Sequence, residues 1–421
     1  MKRQFVSSSL VVIAIFVAIG LCVPEASGQQ QGVGVASGPL RFEERLVLDE
    51  GEYIFGIAAL DVDGDGDLDL TSTDATYNIA LFWYENDGRG NLTKRVLAKD
   101  DPGWYERHVG GDVNGDGHLD IVVAKGQFGE LLWLENSGTP ADGMLWRRHV
   151  IASSFPRAYD VALADLDNDG DLDLAASAFT GNSFAWFENS ARSEKSGQWT
   201  KHVVDEDLGE TRMMVTADID RDGRIDLLGT ERMSNVVVWY KNPGAAANGQ
   251  WQRHVIDDET VQPVHGHPVD LDEDGDMDLV MASGMRVDPK ETNSHQVSWF
   301  ENVGQPGVGA EWKKWVIGKV RYGFEVVPGD LDGDGDLDLI ATGESSGNPG
   351  AGEVSWFENP GDPKSVWAKH GIKRNWEAAN QVIVMDLDND GRLDIVACTE
   401  QATVLWWRNL GRVPSSAATS Q

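Results

Sequence analysis

One nine-residue run, Asp61-Val62-Asp63-Gly64-Asp65-Gly66-Asp67-Leu68-Asp69, constrains this chain more than anything else in it. The pattern returns from Asp112, Asp165, Asp218, Asp270, Asp330 and Asp386, at intervals of 51, 53, 53, 52, 60 and 56 residues. Seven copies at a near-constant interval specify a repeat architecture, in which one small unit is packed against copies of itself.

Positions one, three, five and nine of the run carry side-chain oxygens. The first copy offers Asp61, Asp63, Asp65 and Asp69, and the second Asp112, Asn114, Asp116 and Asp120. The third offers Asp165, Asp167, Asp169 and Asp173; the fourth, Asp218, Asp220, Asp222 and Asp226. The last three offer Asp270, Asp272, Asp274 and Asp278, then Asp330, Asp332, Asp334 and Asp338, then Asp386, Asp388, Asp390 and Asp394. Glycine always holds position six, where it permits a sharp bend. Position seven varies (Asp67, His118, Asp171, Arg224, Asp276, Asp336 and Arg392), as expected where the backbone carbonyl is the ligand and the side chain is free. Six or seven flexible oxygen ligands select a hard cation, Ca²⁺ over Mg²⁺, with up to seven ions per chain. Two bare carboxylates about 4 Å apart repel by roughly 4 kcal/mol at an effective dielectric near 20. A plain Asp/Gly turn is the alternative for one copy, and seven copies weaken it. An EF-hand is excluded, because position twelve holds Ser72, Val123, Ala176, Gly229, Met281, Ala341 and Ala397 in place of glutamate.

Four short strand signals accompany each copy. One precedes it (Ile57 to Leu60), one follows it (Leu119 to Val123), the third is a tryptophan segment ending in asparagine, and the fourth resembles Trp199 to Val204. The third-strand tryptophans are Trp83, Trp133, Trp186, Trp239, Trp299, Trp356 and Trp406. The last copy has no fourth strand, but Phe42 to Leu48 at the other end of the chain reads as one. These signals predict an all-β, seven-bladed β-propeller with four antiparallel strands per blade, closed by pairing the N-terminal strand with the C-terminal blade. The propeller is expected over residues 39–411, with disordered segments at 29–38 and 412–421.

Residues 1–28 read as a secretory signal: Lys2 and Arg3, an apolar stretch from Leu10 to Leu21, and a small-residue site at Ala26-Ser27-Gly28. A secreted, periplasmic or cell-surface location is expected, with no later membrane span. Cys22 falls inside this segment, after a leucine that makes a poor lipidation signal. Cys398 reads as a small core residue. The net charge of −34 argues against nucleic acid and anionic membranes as partners.

The seven full turns, with their flanking strands, resemble the FG-GAP/VCBS repeat family, which includes the integrin α-chain propeller; the match runs from about residue 40 to residue 410. The resemblance implies calcium in turns between first and second strands on one face, and ligand sites on the other. It does not imply one activity, because such propellers include adhesion modules, lectin-like binders and some sugar lyases and dehydratases.

Five residues before each copy stand Gly56, Arg107, Asp160, Met213, His265, Glu325 and Gln381, and strand alternation turns this set toward the central channel. Near them come Trp104, Tyr159, Arg321, Tyr322 and Trp376, with His267 two residues after His265. Twelve of the sixteen tryptophans hold repeat positions; Trp104, Trp315, Trp376 and Trp407 fall outside the pattern. His149, His202, His254 and His370 share one repeat position and read as structural. Arginine, acid, histidine and aromatics together suit a polar or anionic small ligand, although a water-filled mouth would also be polar. His265 with Glu325 is the candidate acid–base pair, with Arg107 or Arg321 to steady an anion. Alternatively, His265 and His267 with Asp160 or Glu325 could hold a metal. No nucleophile or phosphate-loop motif is present. Three functions stay open: a monomeric module binding an extracellular glycan or protein without catalysis, a carbohydrate lyase or dehydratase at the channel mouth, and a structural surface protein.

Overall fold

The computed structural model describes residues 39–413, apart from 50–52, 75–80, 102, 191–198, 245, 248, 289, 292, 305–310 and 346–349. The expected signal, Cys22, the segment 29–38 and residues 414–421 lie outside the described residues.

Seven four-stranded antiparallel sheets form the chain, each ordered first to fourth strand from the axis outward. Blade 1 spans 57–98, blade 2 105–152, blade 3 158–205, blade 4 211–257, blade 5 263–318 and blade 6 323–374. Blade 7 takes its first three strands, Ala379–Met385, Asp394–Thr399 and Val404–Arg412, from the end of the chain. Its fourth is Leu40–Leu48, paired with the last strand from Leu40↔Arg412 to Leu48↔Val404. Closure therefore follows the sequence expectation. Arg412, placed in the tail by sequence, is still in the strand, and the Val413 N–H donates to the Pro39 carbonyl. Among the described residues the only helical turn is a 3-10 turn at Pro140–Asp142.

The core is divided among the seams between blades. One apolar cluster fills each seam; that between blades 2 and 3 contains Val122, Trp133, Phe155, Leu174 and Phe187. Every third-strand tryptophan is buried and carries a cover from the fourth strand at the register-matched position. The cover is a stacked histidine in blades 2, 3, 4 and 6, with ring centroids 4.2–4.5 Å apart. Arg95 and Arg45 cover Trp83 and Trp406 in blades 1 and 7. In blade 5 the cover is Trp315, stacked on Trp299 at 6.0 Å, so this tryptophan belongs to the repeat pattern after all. Cys398 is buried in the seam between blades 7 and 1, where burial pushes its thiol up to about 12.

The asparagine closing each third strand joins neighbouring blades in six of the seven cases, and Asn359 of blade 6 donates to Leu337 of its own blade. Asn136 donates from Nδ2 to the carbonyl of Leu119 in its own blade and to that of Val62 in the preceding one, at 3.0 and 3.1 Å. Asn86, Asn189, Asn242, Asn302 and Asn409 make the same pair of bonds. Each is a buried amide whose two donors are both spent on otherwise orphaned carbonyls, which is why a shorter or charged side chain would not serve.

Candidate functional site

The acidic turns lie between first and second strands on one face. In all seven, the position-six glycine N–H donates to the position-one carboxylate at 2.8–3.2 Å. The position-seven N–H donates to the position-five carboxylate at 2.9–3.2 Å. The glycine is needed for its φ, 84–101°, since nothing lies within 4 Å of an added Cβ in six of the turns, and at Gly275 only the end of the Arg221 side chain does, at 3.2 Å. The position-nine aspartate is buried and held from two sides. One oxygen accepts the position-two N–H and the other accepts the N–H of the joining asparagine, as in Val113→Asp120 and Asn136→Asp120 at 3.2 and 2.7 Å.

This frame brings carboxylates together. Single oxygens of Asp61, Asp63 and Asp69 lie within 4.8 Å of one another, as do those of Asp165, Asp167 and Asp173. The same holds for Asp218, Asp220 and Asp226, and for Asp270, Asp272 and Asp274. Burial, above all, pushes the position-nine carboxyls up, to about 8 at Asp173 and Asp338 and about 7 at Asp69, Asp120, Asp226, Asp278 and Asp394. Buried oxygens of Asp63, Asp220, Asp270, Asp272 and Asp388 have no hydrogen-bond partner, although the other oxygen of Asp220 and of Asp388 is paired with a cation. Converging, partly unsatisfied oxygens fit a hard divalent cation, which would supply the missing attraction. The turns could hold metal ions.

The axial residues meet across the channel. Arg107 of blade 2 donates through both terminal nitrogens to Glu325 of blade 6, at 3.1 and 2.7 Å. His265 lies 2.9 Å from Asp160 through Nε2 and 3.2 Å from Glu325 through Nδ1, and His267 lies 3.3 Å from Glu325. Asp160 also accepts the N–H groups of Val161 and Met214, while Gln381 accepts that of Ile57. Burial opposes charge throughout. Even so, Arg107 and His265 hold the Glu325 carboxyl well below its ordinary range, and Glu325 with Asp160 raises His265. Burial lowers His267.

One residue nearer the opposite face, Phe55, Tyr159, Val264 and Phe324 close over this cluster, with Phe55 5.9 Å from Tyr159 and 6.4 Å from Phe324. All four rings or side chains are buried. Simple alternation would turn Tyr159, Val264 and Phe324 away from the axis; a bulge in the first strand, seen at Ala158/Val161, Pro263/Gly266 and Gly323/Glu325, turns them inward, while Phe55 precedes the first strand of blade 1. The remaining candidates are not brought into this cluster. Tyr322 is buried beside His295, Trp376 packs edge-on against Trp407, and Arg321 is exposed with its backbone N–H bonded to Glu353.

Among the described residues, this face carries an open cavity of about 410 Å³ between blades 2 and 3. Trp104, Phe128, Phe155 and Arg157 line it, along with the backbone of the Gly126–Gly129 turn. Phe128 is 52% exposed. Arg157 lies 5.6 Å from the Trp104 ring and 3.8 Å from Glu106. Glu106 is buried with neither carboxylate oxygen hydrogen-bonded, and its Oε1 would lie 2.4 Å from a Cβ at Gly126. Burial pushes its carboxyl up to about 7, against the pull of Arg157 and Arg212. Sequence reasoning passed over Phe128, although a bulky aromatic flanked by glycines in an exposed turn is itself a signal.

Four stretches, 61–123, 112–176, 218–281 and 270–341, match the FG-GAP-like repeat. These cover more than half of the chain, which belongs to the FG-GAP-like repeat family. No curated protein gives a sequence match. Among solved structures, BBS1N, crystallised in complex with ARL6DN, is similar over 90% of this chain and 98% of its own, in crystals soaked with mercury or lead. The identity is 11% and the TM-scores are 0.53 and 0.54, a likeness of fold. An Agrocybe aegerita lectin, described as recognising non-reducing terminal N-acetylglucosamine, aligns over 86% of this chain and 96% of its own, with 16% identity and a TM-score of 0.46.

Proposed function

We propose that the chain is a secreted, calcium-stabilised propeller that binds a glycan or protein ligand on the face opposite its acidic turns and performs no chemistry on it. The cleft between blades 2 and 3 carries this reading. It combines an exposed aromatic, Phe128, with a cation, Arg157, that reaches toward a carboxylate buried behind the cleft wall, Glu106, which lacks hydrogen-bond partners. A hydroxyl- or amide-rich ligand would satisfy those groups while stacking on the ring. Binding is favoured over elimination chemistry because His265 and Glu325 are 3% and 0% exposed beneath Phe55, Tyr159 and Phe324, with Arg107 committed to Glu325. Calcium is favoured by the oxygen-only donors of the turns, and secretion by the pattern of residues 1–28.

The test is a glycan array, with a set of extracellular proteins, probed with the parent and with Phe128→Ala. Retained ligands that the variant loses would support the reading. Release of unsaturated products from an acidic polysaccharide, abolished in His265→Ala, would replace it with the lyase.

A further inference from the structure

The seven acidic turns are not chemically alike. Just before the joining asparagine, blades 1, 2, 3, 5 and 6 carry Glu85, Glu135, Glu188, Glu301 and Glu358. Each of these carboxylates is bonded outward by the fourth strand: by Arg95, His149, His202, Trp315 and His370, at 2.6–2.9 Å. Blades 4 and 7 carry Lys241 and Arg408 instead, and these cations reach into the turn. Lys241 Nζ bonds Asp220 and lies 2.9 Å from Asp222, so it bridges positions three and five. Arg408 does the same in blade 7, bonding Asp388 and lying 3.4 Å from Asp390. The same two blades, and no others, have arginine at position seven. Arg224 bonds Asp222, and Arg392 bonds Asp390.

We infer that Lys241 with Arg224, and Arg408 with Arg392, stand in for the metal ion in blades 4 and 7, so that the ring takes five calcium ions and not seven. The inference rests on the calcium reading above. Blades 1, 3, 5 and 6 each set five aspartates in the turn, and blade 2 sets three with Asn114 and a His118 that adds no fixed charge. Blades 4 and 7 set four aspartates against two fixed cations. A divalent ion entering there would meet a positive charge already lying between the oxygens it needs, with a second beside it. The fourth strand carries the matching change: His254 Nε2 is buried with no acceptor, because the glutamate that serves His149, His202 and His370 is absent from blade 4.

Three other cations touch a turn from a neighbouring blade. Lys364 bonds Asp272 and Glu301 at 3.2 and 2.7 Å, Arg412 bonds Asp332 and Glu358, and Arg221 bonds Asp276. The first two reach position three alone and are shared with a glutamate, and Arg221 reaches the variable position-seven side chain. None bridges positions three and five, so blades 5 and 6 keep their metal.

Native mass spectrometry of the folded full chain equilibrated with Ca²⁺ counts the ions directly. The parent is expected to hold five. Arg224→Asp/Lys241→Glu, which rebuilds the blade 1 pattern in blade 4, should raise the count to six, and Arg392→Asp/Arg408→Glu should do the same from blade 7. Six or seven ions on the parent would overturn the inference. So would a count of five on whichever double variant keeps the parent's melting transition. A parent that binds no calcium at all would instead remove the calcium reading itself.

Discussion

Replacing Arg107 by methionine tests whether the axial cluster is a tie across the ring. Arg107 and Glu325 have side-chain exposures of 5% and 0%, and the guanidinium meets the carboxylate through two nitrogens. Breaking a buried pair by removing one partner costs about 3–5 kcal/mol, since the other charge stays buried. At about 2.1 cal/mol/K per residue, a ring of this length unfolds with an entropy of roughly 0.8 kcal/mol/K, so the melting temperature should fall by about 4–6 °C. Glu325→Met should cost a similar amount. The double variant Arg107→Met/Glu325→Met should recover much of the loss, because neither member of the pair is then buried without the other and His265 keeps Asp160. The sign with pH follows from Glu325, whose folded carboxyl sits below its ordinary value of 4.5. Such a group adds stability above pH 4.5 that is lost as pH falls through the folded value, so the gap between parent and Arg107→Met should narrow in acid. Scanning calorimetry at a fixed rate from pH 3 to 8 measures all of this. A single variant within ~1 °C of the parent at pH 7, or a double variant worse than either single, would refute the tie.

Two further outcomes follow from the same structure. Chelation should lower the melting temperature, because it leaves the carboxylates of each metal-holding turn to repel one another; an unchanged melt after metal loss, confirmed by elemental analysis, would count against a stabilising ion. Glu106, raised to about 7 from 4.5, makes the fold less stable as pH climbs through that interval, by on the order of 3 kcal/mol. Glu106→Gln should therefore match the parent near pH 4.5 and exceed it at pH 8, and equal melts at pH 8 would mean that the carboxylate finds a partner in solution.

What the sequence discloses is whatever repeats locally. The nine-residue turns, the third-strand tryptophans and the orphan strand at Phe42 to Leu48 define blade number, strand order and closure, since each depends on residues close in the chain or on a missing member of a series. The axial partners are a different kind of information. Arg107 and Glu325 are 218 residues apart, and nothing local says that blades 2 and 6 face one another. Alternation placed them on the channel, yet the bulge that also turns Tyr159 and Phe324 inward has no marker in the strand itself. Trp315 shows the opposite error: it occupies a repeat position but breaks the residue type, so a pattern keyed to histidine passes over it. The asparagine is visible in all seven copies, but the bond to the neighbouring blade that six of them make cannot be read within one copy.

The position just outside the axial set explains why the ring is closed at its centre and open at one seam. It holds Phe55, Glu106, Tyr159, Arg212, Val264, Phe324 and Asn380 in blades 1 to 7. Blades 1, 3, 5 and 6 place there the four side chains that close the axis. In blade 2 the same place holds Glu106, a carboxylate that lies against Gly126, where any side chain would collide with it. The glycine keeps the 126–129 turn low, Phe128 stands out of that turn, and Arg157 of the next connection reaches toward Glu106. Glu106, Arg212 and Asn380 are the polar members of this series, and Glu106 is the one that sets a carboxylate without hydrogen bonds beside the seam between blades 2 and 3. A buried carboxylate without hydrogen bonds destabilises the fold unless something offsets it; Arg157 at 3.8 Å offsets part of that cost, and under the proposed binding role a ligand's donors would offset more.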